Sequence, residues 1–367
     1  MVLSMVSIVG YAAVTPVAKV GDTEYDTVAA AIADVEDGGT VQLLAGEISE
    51  EIKTGRISKS FTILGAVNHT SVLTGGLRIG TDVSSLPIQE CTVTVKGIAF
   101  KNIALSVCDV RNVVVEDNKF TNITGTAAIY ILDSATDAQE SNITVKNNVV
   151  DGAEQGIRIR TGYNIEITGN TVKNTQHNAI TIEHGSKWPG NAGEVNISNN
   201  TFENWALGGE GRVVRAAFGT ATTLEKEIAF TGNKMARESE PAEEYAKLTG
   251  VGTVAVDFEK NYWNSDAPDF DTILLVEGGN TETEVAEFYK AETMEEKDLN
   301  TYVAPPVNEE NKEPEKEETK KEETKKEDTK KEETKSPKTG DNSLYFTAVF
   351  MISAAIIILS TYKIKCR

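Results

Sequence analysis

Val113-Val-Val115-Glu-Asp-Asn118-Lys-Phe120, Ile143-Thr-Val145-Lys-Asn-Asn148-Val-Val150, Ile165-Glu-Ile167-Thr-Gly-Asn170-Thr-Val172 and Val195-Asn-Ile197-Ser-Asn-Asn200-Thr-Phe202 are four copies of one phrase. Two apolar, β-branched residues alternate, a turn-prone residue follows, then Asn, a spacer and another apolar side chain. Weaker copies flank them: Val93 to Phe100, with Ile98 in the Asn place, Ile228 to Met235 around Asn233, and Val256 to Trp263 around Asn261. The Asn place recurs at intervals of 20 to 33 residues. A fixed minimum carrying insertions of variable length is the mark of a solenoid coil whose loops swell on one side.

The spacing therefore predicts an all-β parallel β-helix. A coil must bend between strands, so the residue before each Asn (Asp117, Asn147, Gly169, Asn199, Gly232, Lys260) is expected in the left-handed region. Asn118, Asn148, Asn170, Asn200, Asn233 and Asn261 are expected to point inward and form a ladder, satisfying buried backbone groups of neighbouring coils. Upstream, Asp26 to Gly39 carries Val28, Ala31, Ile32 and Val35 at helical spacing, with Asp26 as the expected N-cap and Gly38 as the stop. A short amphipathic helix ahead of the first strands is read as the cap over the open N-terminal end of the core.

Between the phrases lies a second strand family, Leu105-Ser-Val107, Ile129-Tyr-Ile131, Ile157-Arg-Ile159, Ile180-Thr-Ile182 and Val214-Arg-Ala216, with apolar and polar residues alternating. Coils stack about 4.8 Å apart, so residues at one offset form columns. Ser106, Tyr130, Arg158, Thr181 and Arg215 are expected to form one outward column. Cys108, Leu132, Arg160, Glu183 and Ala217 form the next, and Asp109, Asp133, Thr161, His184 and Phe218 a third. Tyr163, His177, Lys187, Trp188, Asp137 and Glu140 lie in loops entering the same region. Arginines grouped with aromatic side chains suit an extended, anionic glycan, with ring faces for sugars and guanidinium forks for carboxylates. The candidate ligand-binding residues are thus Tyr130, Arg158, Arg160, Glu183, His184, Trp188 and Arg215. As catalytic candidates, Arg158, Arg160, His184, Tyr130, Glu183 and Asp133 hold the charge-neutralising and proton-moving groups that a uronan lyase, glycoside hydrolase or epimerase uses. Asp109 and Asp133, on adjacent coils, suggest a retaining carboxylate pair. Against catalysis stands the absence of a clustered Asp-Asp motif, and a purely decorative set of paired Arg and Glu remains the third alternative.

The net charge of −20 lies mostly on the folded part, because the acidic and basic residues of the Lys/Glu tail nearly cancel. Such a surface repels phosphate backbones and excludes nucleic acid as an expected partner. Cys91, Cys108 and Cys366 are too few and scattered for a disulfide framework or zinc site. A Cys91–Cys108 bridge is compatible with the sequence, and two buried free thiols are the preferred reading. No cofactor or metal is expected; Ca2+ finds no supporting carboxylate spacing.

The region from about Val17 to Trp263 resembles the right-handed parallel β-helix proteins of the pectin-lyase-like superfamily. It is most similar to bacterial surface proteins with a right-handed β-helix region. That superfamily includes lyases, hydrolases, epimerases and tailspikes, so the resemblance implies a fold and leaves the reaction open. The β-helix domain with its caps is expected over residues 17–304. Residues 1–13 read as a secretory signal without its basic leading region, which predicts an upstream in-frame extension carrying Lys or Arg. Residues 305–335 form a low-complexity Lys/Glu stalk with nothing to bury, expected to be disordered. Residues 336–367 join Ser336-Pro337-Lys338-Thr339-Gly340 to an apolar run, 343–362, long enough for a single transmembrane helix, and to a basic end. This trio resembles a Gram-positive LPXTG-like sorting signal, with Ser where Leu is usual. The resemblance implies membrane insertion before sorting, cleavage by a sortase between Thr339 and Gly340, and linkage to peptidoglycan through Thr339. The expectation is a secreted, wall-anchored protein that binds polysaccharide or host glycan, with a polysaccharide-active enzyme and a structural spacer as alternatives.

Overall fold

The computed structural model describes residues 15–82, 86–133, 141–184, 192–219, 228–238, 244–250, 256–265 and 273–277. The signal-like segment, the stalk, the sorting motif and the 343–362 run lie outside the described residues. Residues 1–307 form one compact unit and 308–367 a second.

Among the described residues, 11 strands make one sheet and 16 the other. The phrase strands, such as Val110–Glu116, Asn142–Lys146, Asn164–Thr168 and Val195–Ser198, stack in chain order, each parallel to the next. After each turn the chain runs along a second face in short strands such as Ala99–Lys101, Thr171–Thr175 and Thr201–Glu203. It then turns onto a third face carrying the second strand family. In two coils these last two faces are one bent strand, Lys119–Leu132 and Val149–Arg160. The coil therefore has three sides. The residues after the Asn are a strand in their own right, where the sequence shows only a spacer and one apolar position.

Alternation fills the interior with aligned aliphatic columns. Val41, Ile63, Val95, Val115, Val145, Ile167, Ile197 and Phe230 stack from coil to coil, all at most 1 % exposed. Phe100 stacks on Phe120 with ring centroids 4.6 Å apart, and Phe230 on Phe258 at 5.1 Å. One continuous core results, held by burial of apolar area at about 25 cal/mol per Å2.

The turn chemistry matches the expectation. Asp117, Asn147, Gly169, Asn199, Gly232 and Lys260 all have φ between 52° and 66°. The asparagines that follow are buried and form the expected ladder. The Asn118 amide donates to Asn148 Oδ1 at 3.0 Å, and the same link joins Asn148 to Asn170, Asn170 to Asn200, Asn200 to Asn233 and Asn233 to Asn261. Each amide also donates inward to a strand carbonyl one coil back, as Asn148 does to Val115 O at 2.8 Å. Each Oδ1 accepts the backbone N–H of the previous ladder residue. Ile98, lacking an amide, starts the run by donating its backbone N–H to Asn118 Oδ1. Earlier in the chain Ser71 plays an equivalent part, accepting from Ala66 N and donating to Leu44 O.

At the N-terminal end, the helix Val28–Asp34 covers the core with Val28, Ala31 and Ile32. Its N-cap is Thr27, not Asp26: Thr27 is extended, and its hydroxyl accepts from Ala30 N at 3.2 Å. The next two free N–H groups, of Val28 and Ala29, donate to the Glu50 carboxylate. At the other end Lys59 donates to the carbonyls of Ala33 and Val35. An anion at the N-terminus and a cation at the C-terminus both complement the helix dipole. The helix also stops before Gly38, with Val35 as C-cap; Gly38, at φ 75°, serves the following turn and donates to Ser60 O. Cys91 and Cys108 are buried free thiols, as preferred from the sequence.

Candidate functional site

The third face carries the columns in the register that the spacing predicts, although Cys108 and Leu132 of the second column are buried rather than outward. Ser106, Tyr130, Arg158, Thr181 and Arg215 are paired in register, as are Cys108, Leu132, Arg160, Glu183 and Ala217. The first column continues both ways. Arg78 and Lys53 precede Ser106, and Lys247 follows Arg215. Five cations thus share one row on a chain of net charge −20. Lys53, Arg78 and Lys247 escape a reading that starts at residue 105 and ends at 216. For Arg78 and Lys247 the signal is the same apolar–cation–apolar triplet, in strands of four residues; Lys53 follows Ile52 in a strand of two and precedes Thr54, so it lacks the triplet.

At the centre of the row, one carboxylate gathers three guanidinium groups. Arg158 donates to Glu183 Oε2 through Nη2 at 2.8 Å and Nε at 3.2 Å, and Arg160 to the same oxygen through Nε at 2.9 Å. Arg215 Nη1 donates to Oε1 at 3.1 Å. Arg160 Nη1 also donates to the Tyr130 hydroxyl at 3.1 Å, its guanidinium carbon 5.7 Å from that ring's centroid. Three cations and one anion leave a local excess of two positive charges. Burial pushes the Glu183 carboxyl upward, but hydrogen bonds from Arg158 and Arg160 outweigh it and hold the group below the ordinary carboxylate range. For Arg160, burial acts downward and is outweighed by Glu183 and Tyr130, so its affinity for the proton rises.

Thr181, between Arg158 and Arg215, is buried: it donates to Gln155 Oε1 and accepts from Asn178 Nδ2. At the row's N-terminal side, burial pushes the Cys108 thiol up to about 11, against the lowering effect of Arg78.

The third column corrects the sequence reading. Asp109, Asp133, Thr161, His184 and Phe218 do align, but all are buried at 4 % exposure or less. The reason is parity. Residues two apart share a face, so a residue one step beyond the Arg160–Glu183 row falls on the inner side of the bend. His184 packs against the Phe218 ring at 5.3 Å. Asp109 and Asp133, being buried, do not present a carboxylate pair to a sugar on the surface, and His184 is buried with them on the inner side of the bend. His177 lies elsewhere, its Nε2 3.0 Å from Glu154 and its Nδ1 3.1 Å from Glu210 O. Tyr163 packs against Gly193. Trp188, Lys187, Asp137 and Glu140 lie outside the described residues. Among the described residues no group of three or more His, Cys, Asp or Glu side chains is placed to hold a metal ion, and no helix is long and apolar enough to cross a membrane.

The arrangement can hold an anion: guanidinium groups are fixed by a shared carboxylate, one ring is fixed by an arginine, and further cations lie in line. Glu183, held below the ordinary carboxylate range, is a poor general acid and a weak base, and Asp109, Asp133 and His184 are buried off the face. The right handed beta helix region family matches residues 136–233 of the chain. These residues include the Arg158, Arg160, Glu183 and Arg215 strands, and with the parallel stacking the match supports a right-handed, pectin-lyase-like β-helix. No curated protein and no solved structure matches the chain.

Proposed function

We propose that this protein is a cell-surface β-helix that binds a linear anionic polysaccharide along its third face. The observation that carries the reading is the set of three arginines sharing Glu183, centred in a row of cations on an acidic protein. The row from Lys53 to Lys247 crosses seven coil steps, about 34 Å at ~4.8 Å per step. A polymer laid parallel to the solenoid axis meets these cations in succession, with the Tyr130 ring face toward a sugar and arginine forks toward its carboxylates or sulfates. Glu183 restrains the forks before the ligand arrives, which lowers the ordering entropy lost on binding.

A glycan array probed with residues 1–307 tests the reading. Uronic-acid and sulfated polymers are expected to bind and neutral glucans not. Arg158→Ala with Arg160→Ala is expected to abolish the signal; unchanged binding by that variant overturns the assignment of the face. Display follows from the C-terminal segment in the same proposal. A sortase cleaves between Thr339 and Gly340 and joins Thr339 to peptidoglycan, with residues 305–335 spanning the wall as a stalk. The support is the order of motif, apolar run and basic end. Recovery of the protein in the membrane fraction rather than the wall fraction, in cells with active sortases, contradicts the anchoring.

A further inference from the structure

A cleft lies on a different edge of the solenoid from the cationic face, at the turn after the strand Phe61–Leu64. There Val67–His69 forms a short 3-10 turn that stands off the coil. Asn68 and His69 are consecutive non-glycine residues in the left-handed region, at φ 61° and 58°. Such a pair is uncommon, and the left-handed region strains non-glycine backbone. The flap is tied down across the neighbouring coil, where His69 Nε2 lies 2.7 Å from Asp117 O and 3.3 Å from Asp117 Oδ1. Val67 at its tip is 82 % exposed. Between the flap and the first sheet lies a cleft of about 550 Å3, whose walls include Lys19, Leu44, Leu64, Val67 and Lys96. That volume is within the range of small-molecule sites, ~300–1,000 Å3.

What the walls offer a ligand follows from what is already satisfied. Gln42 Nε2 donates to the carbonyls of Leu43, Leu64 and Gly65. Leu44 O accepts from Ser71, Val67 O from Thr70, and Lys96 O from Gly65 N. Lys96 is engaged by Glu116 at 3.3 Å. Among the described residues Lys19 has no ionic partner. Asn68, His69 and Asp117 also line the cleft, with His69 and Asp117 engaged with each other; the rest of the surface is aliphatic, with Leu64 in the outward row between Gln42 and Lys96 and Leu44 and Val67 in the same lining.

We propose that this cleft binds a small aliphatic carboxylate, its acid group at Lys19 and its chain over Leu44 and Leu64 beneath Val67. This site is separate from the cationic face and does not rest on its function. The test titrates residues 1–307, a self-contained core closed by its own cap, with octanoate, octanol and octylammonium, followed by methyl and amide NMR shifts. Octanoate is expected to bind saturably, with a dissociation constant on the order of 1 mM for a ten-atom ligand, and with shifts concentrated at Leu44, Leu64 and Val67. Octanol should bind more weakly and octylammonium weakest. Lys19→Ala should weaken octanoate about two- to fivefold, as expected for an exposed ion pair, and leave octanol unchanged. Val67→Ser should weaken both, and Lys146→Ala neither. The proposal is overturned if octanoate causes no saturable shifts at the cleft, if octanol binds equally well, or if Lys146→Ala matches Lys19→Ala.

Discussion

Asn148 shows what a single buried side chain does for a stacked coil. Its amide reaches Val115 O, Lys146 O and Asn170 Oδ1, while its own Oδ1 accepts from Asn118 N and Asn118 Nδ2. Asn148→Ala strands several of these groups away from water. The expected loss is about 2–4 kcal/mol, since each unsatisfied buried group costs roughly 1–3 kcal/mol. Asn142, in an exposed ladder with Asn112 and Asn164, should change stability by no more than ~0.5 kcal/mol when replaced by Ala. Urea denaturation of the two variants checks the contrast. Glu183 sets a pH limit. Its folded value lies below the ordinary 4.5, so its contribution to stability is present above that pH and is lost as pH falls through the lowered value. Glu183→Gln should remove this part of the acid limb of a melting-temperature profile and leave the limb above pH 6 shallow. Cys91 and Cys108, both pushed up to about 11 chiefly by burial, should resist alkylation at pH 8 until the protein is unfolded. Rapid labelling of Cys91 or Cys108 in the native protein, located by peptide mapping, would contradict their burial.

At the scale of elements, the helix Val28–Asp34 illustrates how local and distant signals divide the work. Its apolar stripe is visible in the sequence, since Val28, Ala31 and Ile32 are the buried residues. Its true caps are less visible, because Glu50 and Lys59 come from later in the chain. A seven-residue helix is marginal alone, so these partners matter. Glu50→Ala should destabilise the cap by about 1 kcal/mol or less and Thr27→Ala by roughly 1 kcal/mol. Amide exchange should accelerate at Ala30 to Val35 while the coil around Asn148 stays protected; uniform acceleration throughout would show that the cap is not a separable element. The strands follow a similar division. Alternation and the αL–Asn signature place the phrase strands, the turns and the third-face strands correctly. The second face is not legible in the sequence, because short strands such as Ala99–Lys101 and Thr171–Thr175 hold too few alternations to register, and in two coils the face runs into the third as one strand.

For the whole molecule, register was the legible quantity. A constant offset from each strand start names the column of Arg158 and Arg215 and the column of Arg160 and Glu183 before any coordinate is known. Offset gives direction only through parity: Asp133 and His184 lie one residue, not two, beyond the Arg160–Glu183 row, so they align as expected and yet point into the core. Offset alone does not show that Glu183 is shared by three arginines, a matter of side-chain reach across three coils. The consequence is a cationic row along one side of an otherwise acidic solenoid. Counterion release makes binding of a polyanion to such a row weaken with salt, and a ligand spanning several cations must exceed the length of one coil. The most direct test is the affinity of residues 1–307 for galacturonate oligomers of increasing length, measured calorimetrically at several salt concentrations. Affinity should rise with length until the oligomer spans about 34 Å, the estimated run of the row at ~4.8 Å per coil. It should fall steadily with salt, and fall at least tenfold in Arg158→Ala/Arg215→Ala. Binding that is independent of length and salt, or unchanged in that variant, would contradict the account.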